Sequence, residues 1–295
     1  MNTAELRRRA GQSTRLTDYR ARGLRLRARL ARPSKGPRIF VNSLPKAGTH
    51  LLMTALDSFP EIRFGGVHFM KRRVMLDHSD IPERSTHVDW ELTRRVLDRA
   101  AKNGQYVTSH IWGHDELFEI LDELGYVSLF VIRDPRDIVI STAAYITRLR
   151  RHMHHHRFVD EYHSDAERFL AIINGYPPGP EGPGRLSLKD KLEGFSPWLT
   201  RPGVMCCRFE DLVGERGGGS STAQLAAIAE IGGHVGLSVS AAEAARIADE
   251  AWSPGAATFR AGVTGEWRRT FDQDTLDAFR ASIDADLLSA YGYAH

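Results

Sequence analysis

The sequence predicts an α/β fold, a doubly wound and mainly parallel sheet with helices on both faces. Two observations carry this. Four short apolar runs lack the polar–apolar alternation of a half-exposed sheet, as strands buried on both faces do. Segments with helical periodicity separate them, and strand–helix alternation builds parallel sheets. A third observation sets the scale: 295 residues, 42% of them hydrophobic, suffice for one large domain or at most two.

In chain order, residues 1–37 read as a basic arm and linker, and 38–295 as the domain. Residues 1–38 carry 12 Lys/Arg against 2 Asp/Glu, whereas the remaining 257 carry 28 against 35. The domain is therefore mildly acidic and the arm strongly basic. An amphipathic arm over 1–35 would suit an anionic membrane surface or an acidic partner, and no nucleic acid is expected; the plainer reading is a solvated, partly disordered arm. Pro33 to Pro37 marks the linker. No window of 18 apolar residues exists, so no membrane span is expected. The N-terminus has charge but no apolar core, which points to the cytoplasm.

Strands are predicted at 38–43, 105–110, 126–132 and 204–209. Helices are predicted at 49–58, 89–101, 115–124, 135–149, 160–174 and 188–199, then at 222–231, 240–251 and 274–289. Ser240 and Glu243 make a capping box. Cys206 and Cys207 are adjacent in an apolar run, which fits a buried pair of reduced thiols. Residues 174–187, rich in Pro and Gly, read as a surface loop or an active-site lid, and 64–84 as a second variable loop. In such a sheet ligands sit at the carboxyl ends of the strands.

Four stretches bring chemistry to those ends. "LPKAGTH" follows the first strand and precedes a helix, a P-loop-like layout. Gly48 lets the backbone curl around an anion, and the N–H groups of Gly48, Thr49 and His50 point at it from the helix N-terminus. Lys46 adds a positive charge and Thr49 a hydroxyl. Unlike a Walker A lysine, Lys46 precedes the glycine. In "VIRDPRDIVIS", Arg133 leaves a strand end and Ser141 lies two helical turns on, so both converge on one phosphate; alternatively Arg133 pairs with Asp134 or Asp137. In "TSHIWG", His110 ends a strand and is suited to take a proton from a hydroxyl, although a lone histidine is more often structural. In "FRAGVTGEWRRTF", glycines allow close approach and Arg260 reaches a second phosphate, or the loop is a basic surface loop anchored by Trp267.

In their order and spacing these stretches resemble the sulfotransferases that use 3′-phosphoadenosine 5′-phosphosulfate (PAPS). "LPKAGTH" is similar to that family's 5′-phosphosulfate loop, and "VIRDPRDIVIS" to its 3′-phosphate motif. "TSHIWG" is similar to the strand end bearing the catalytic histidine, "RFEDL" (208–212) to YEDL, and "FRAGVTGEW" to RKGxxGDW. The resemblance spans 38–271. It implies transfer of a sulfuryl group from PAPS to a hydroxyl, leaving 3′,5′-adenosine bisphosphate (PAP), with no metal. It places Lys46 at the bridging oxygen, His110 as general base, and Ala47, Gly48, Thr49, His50 and Leu51 around the 5′-phosphate. Arg133, Ser141, Arg260, Ala261 and Gly262 would take the 3′-phosphate, and Trp252 would pack on adenine. The implied acceptor is a small-molecule, lipid or glycan hydroxyl.

The chain departs from the pattern at five points. Ala47 stands for Ser, His50 for Thr, Leu51 for Trp, Thr108 for Lys and Ala261 for Lys. The family's C-terminal dimerisation motif is not visible, so the oligomeric state stays open. A P-loop kinase is the alternative enzyme, opposed by the missing Gly-Lys-Ser/Thr triplet. A non-catalytic protein acting through its arm is a third reading. The run "RRHMHHHR" (150–157) reads as a solvated polar turn rather than a metal site, because helical spacing aligns only His152 with His155 or His156.

Overall fold

The computed structural model describes residues 36–70, 74, 87–180, 182–251 and 262–295. The basic arm, Trp252, Arg260 and Ala261 lie outside the described residues.

Strand β1 (Arg38–Ser43) is buried along nearly its whole length and lies at the centre of the sheet. It pairs in parallel with β3 (Gln105–Ser109) on one side and β4 (Tyr126–Ile132) on the other. Beyond β3 lies β2 (Arg63–Phe69), and beyond β4 lies β5 (Val204–Arg208), again parallel. The order is β2-β3-β1-β4-β5. Runs such as "IFVNS" and "SLFVI" form interior strands because their β-branched and aromatic side chains are covered on both faces.

Helices connect the strands: α1 (Thr49–Asp57), α2 (Trp90–Ala100), α3 (Asp115–Glu123), α4 (Pro135–Arg148), α5 (Asp165–Asn174), α6 (Leu188–Phe195) and the short α7 (Pro197–Thr200). After β5 come α8 (Phe209–Leu212), α9 (Ser221–His234), α10 (Ala241–Ala251), α11 (Trp267–Thr270), α12 (Gln273–Ser282) and α13 (Ala285–Ala290). Caps set several starts. Asp89 accepts from the Leu92 N–H, and Ser164 with Glu167 and Ser187 with Asp190 close capping boxes. The Ser240–Glu243 box is formed too, with the Glu243 N–H donating to Ser240 Oγ at 3.3 Å.

Four expectations are corrected. The stretch from Arg63 to Phe69 is an edge strand, not a loop; the glycine pair in "RFGGVHF" hides its β-character. The helix expected at 160–174 is split: Arg157–Glu161 forms a π-helical turn, and Ser164 restarts the chain as an N-cap. The helix expected at 188–199 breaks at Ser196, before Pro197, which cannot continue the hydrogen-bond ladder. The last one breaks at Ile283–Asp284.

Trp198 is fully buried and stacks on Phe40 (5.6 Å, 9°) and Phe130 (6.0 Å, 22°), binding α7 to β1 and β4. Cys206 and Cys207 are free thiols in β5, the second buried and the first half-buried. No helix among the described residues is long and apolar enough to cross a membrane.

Candidate active site

Three neighbouring parallel strands deliver the predicted groups to one edge of the sheet. The loop after β1 carries Lys46, the residue after β3 is His110, and the residue after β4 is Arg133. Parallel pairing makes this happen, because it aligns all carboxyl ends on one side.

The loop after β1 is tightly wound. The Ala47 N–H donates to the Leu44 carbonyl at 3.1 Å, and the Ala47 methyl is fully buried. Lys46 has φ 73°, the one non-glycine residue with positive φ among those described. Gly48, at φ 116°, stands in the N-cap position of α1 without a side-chain cap. A Cβ there would come within 2.6 Å of the Phe209 ring, so only glycine fits. Among the described residues no acceptor is placed on the N–H groups of Gly48, Thr49 and His50. These donors, at the positive end of a helix dipole, suit a phosphate or sulfate. The Thr49 hydroxyl is 2.6 Å from that of Ser43, and His50 is exposed. Leu51 turns to the core instead and is half-buried against it.

His110 is held by β1. Its Nδ1 lies 2.8 Å from the Ser43 carbonyl and 3.3 Å from the Ser43 hydroxyl. A carbonyl can only accept, so Nδ1 carries the proton and Nε2 presents a lone pair. Burial, then the neighbouring His68, His50 and Lys46, push its pKa down to about 3 against the opposing pull of the Ser43 carbonyl. The segment after it is pinned twice. Asn42 donates to the Ile111 carbonyl (2.8 Å) and accepts from the Ile111 N–H (3.1 Å), and Trp198 Nε1 donates to the same carbonyl (3.1 Å).

Arg133 is buried, with its guanidinium 4.2 Å from the centre of the Phe209 ring. It donates to the Val263 carbonyl at 2.9 Å and stands 3.9 Å from Asp137. Arg133 thus leaves the carboxyl end of β4, as the sequence reading placed it, and neighbours Asp137. Asp137 accepts the N–H groups of Gly265 (2.7 Å) and Trp267 (3.0 Å). Asp134 is gripped by Arg136 through two 2.9 Å hydrogen bonds and accepts Trp267 Nε1 at 3.0 Å. Arg136 also stacks over the Trp267 ring at 3.9 Å. The acids of "RDPRD" thus dock the "GVTGEW" loop beside Arg133, and Gly262 (φ 62°) enters that loop in a left-handed conformation.

Positions 133, 137, 141 and 145 recur every fourth residue, so Asp137, Ser141 and Tyr145 share one face of α4. Ser141 is buried on this stripe, and Tyr145 touches Lys46, whose Nζ sits 4.2 Å above its ring centre. Sequence reasoning missed Tyr145, Phe209, Asp137 as a docking group, and His68. The four-residue spacing from Arg133 was a usable signal for Asp137 and Tyr145. Nothing local in "RFGGVHF" announced His68.

The His-rich turn is not wholly solvated, as the sequence suggested. His154 is buried, between the rings of His152 (5.4 Å) and Tyr176 (5.6 Å), while His156 is exposed and pairs with Asp160. Burial, then Arg185, His152, Lys191 and Arg157, hold the His154 pKa down to about 3. A histidine freed by unfolding titrates near 6.5. Below that value the unfolded chain binds more protons than the folded one, so stability is complete above about pH 6.5 and falls as pH drops. His110 and His154 each steepen the fall by up to about 1.4 kcal/mol per pH unit. Urea denaturation between pH 7 and 4 is expected to show a shallower loss for His154→Gln than for the native chain. Superimposable slopes would mean that His154 protonates inside the fold.

Against solved structures, the chain is similar to mouse sulfotransferase SULT7A1 complexed with PAP, at 16% identity and TM-score 0.56, over 89% of each chain. The fold is that of a sulfotransferase. Retinol dehydratase in complex with androsterone and inactive cofactor PAP shows the same architecture at 14% identity and TM-score 0.51, over 85% of this chain and 80% of that one. Retinol dehydratase with retinol and PAP aligns at 15% identity and TM-score 0.50, over 88% and 83%. No protein-family model matches the chain, and no curated protein does. The sulfotransferase fold thus accompanies a sequence far from those solved examples.

Proposed function

We propose that the chain is a PAPS-dependent sulfotransferase whose domain covers 38–295, acting on a hydroxyl of a small molecule, lipid or glycan. The observation that carries this reading is the convergence of the Lys46 loop, His110 and Arg133 at the ends of three adjacent parallel strands within a sulfotransferase fold. PAPS supplies the sulfuryl group and leaves as PAP. The N–H groups of Gly48, Thr49 and His50 would hold its 5′-phosphate, and Arg133, Ser141 and Gly262 its 3′-phosphate. Arg260 and Ala261 are assigned there, and Trp252 to adenine, from the sequence resemblance alone.

His110 Nε2 would take the proton of the acceptor hydroxyl, the tautomer being preset by the Ser43 carbonyl. Lys46 would set its ammonium against the charge that grows on the departing phosphate oxygen. Sulfuryl transfer, like phosphoryl transfer, needs mainly in-line positioning and stabilised spread charge, which these groups supply. No metal is required on this reading. Residues 1–37 are assigned to a basic arm, open to a lipid surface or an acidic partner.

Thermal denaturation with PAP tests the reading. Millimolar PAP is expected to raise Tm in the absence of Mg²⁺, because a ligand that binds only the folded state stabilises it by mass action. No shift with PAP, together with Mg²⁺-dependent turnover of ATP, would replace it by a kinase.

A further inference from the structure

Thr108 and His68 form a second polar unit beside His110. In β2, Phe64 pairs with Tyr106 but His68 pairs with Thr108, so two extra residues bulge out between them. The bulge is built on glycines. Gly66 has φ 76°, and a Cβ on Gly65 would come within 2.9 Å of the Ala100 carbonyl. An extra pair of residues keeps the alternation while setting the rest of the edge strand back by two positions along β3. His68 is thereby paired with Thr108 rather than with position 110, one residue from the carboxyl end of β3. Its Nδ1 lies 2.9 Å from the Thr108 hydroxyl, and its ring meets that of His110 edge-on, 5.0 Å between centres and 70° between planes. Thr108 itself is buried.

We propose that His68 is a positioning residue for His110, tethered by Thr108, whose ring fixes the orientation of His110 and whose charge state governs proton uptake there. This rests on reading His110 as the base of the proposed transfer. The geometry gives His68 two opposite effects. A neutral His68 ring packs edge-on against that of His110 and holds its orientation without opposing the charge that His110 gains when it takes the acceptor's proton. A protonated His68 sets a like charge 5.0 Å from His110 and opposes that uptake. The pair therefore resists carrying two protons at once. The other groups facing His110 are Lys46 from the β1–α1 loop, His50 from α1, and the carbonyl and hydroxyl of Ser43 from β1. From these groups His68 is set apart by its ring, which is placed directly against that of His110.

Proton-detected NMR titration of the histidine rings in the full chain decides the matter without turnover. In His68→Phe, which keeps a ring but cannot titrate, the His110 midpoint is expected to rise by about one pH unit. Thr108→Val keeps His68 and cuts only its tether. It is expected to lower kcat about tenfold with little change in KM, the signature of lost orientation. The acid limb of kcat/KM should shift in the Phe variant, which removes the charge at position 68, and stay put in the Val variant. An unmoved His110 midpoint in His68→Phe would overturn the proposal. Should that variant not fold, an unchanged kcat in Thr108→Val would overturn it equally. Absence of any PAPS turnover in the native chain, with the midpoint still shifting, would instead remove the transferase reading and leave the coupling intact.

Discussion

His110→Ala is expected to lower turnover about 10²–10⁴-fold while leaving PAP affinity nearly unchanged. The imidazole is the group at this edge with a preset lone pair, because the Ser43 carbonyl holds the proton on Nδ1. Its depressed pKa keeps it neutral at physiological pH, so no proton must leave before it can act. Among the described residues it makes no hydrogen bond to the N–H groups of the loop after β1, and its removal should leave that loop's donors in place. Stopped-assay kinetics with calorimetric titration of PAP would separate the two effects. Full activity in the variant would move the base elsewhere; Asp115 and Glu116, both exposed in the first turn of α3, are the nearest carboxylates along the chain.

Lys46 allows a sharper test, because its side chain and its backbone make opposite contributions. An ammonium poised at a departing oxygen is worth about 10²–10³ in kcat. A non-glycine residue held at positive φ stores about 1–3 kcal/mol of strain. Lys46→Ala removes the charge and keeps the strain, whereas Lys46→Gly removes both. Both are expected to lose two to three orders of magnitude in kcat. Lys46→Gly should also be the more stable of the two by about 1 kcal/mol in urea denaturation. Equal stabilities would show that the loop relaxes around residue 46, and an active alanine variant would end the proposed role of its charge.

The legible parts of this protein were those written in local sequence. "RIFVNS" and "YVSLFVI" form the predicted strands residue for residue, because a strand covered on both faces reads as a largely apolar run without alternation. Pro135 announced the start of α4, and Ser240 with Glu243 that of α10. The illegible parts depended on partners distant along the chain. "RFGGVHF" becomes an edge strand only because β3 offers it a ladder and the Ala100 carbonyl crowds out any side chain at Gly65. His154 is buried because Tyr176 lies against it, which no spacing within "RRHMHHHR" encodes.

The candidate site divides the same way. The residue types at the strand ends were set by sequence alone: Lys46 before a glycine, His110 and Arg133 each leaving an apolar run, Ser141 two helical turns on. Parallel pairing brings them to one edge, and that pairing follows from strand–helix alternation, a property of the chain's local pattern. The tertiary structure alone decided how each group is held. It placed the Ser43 carbonyl on His110 Nδ1, laid Lys46 over Tyr145, docked Gly265 and Trp267 on Asp137, and set His68 against His110. Those contacts join residues up to 130 positions apart. Local propensity acts over a few residues, whereas hydrogen-bond geometry and ring packing are fixed only once the sheet has closed.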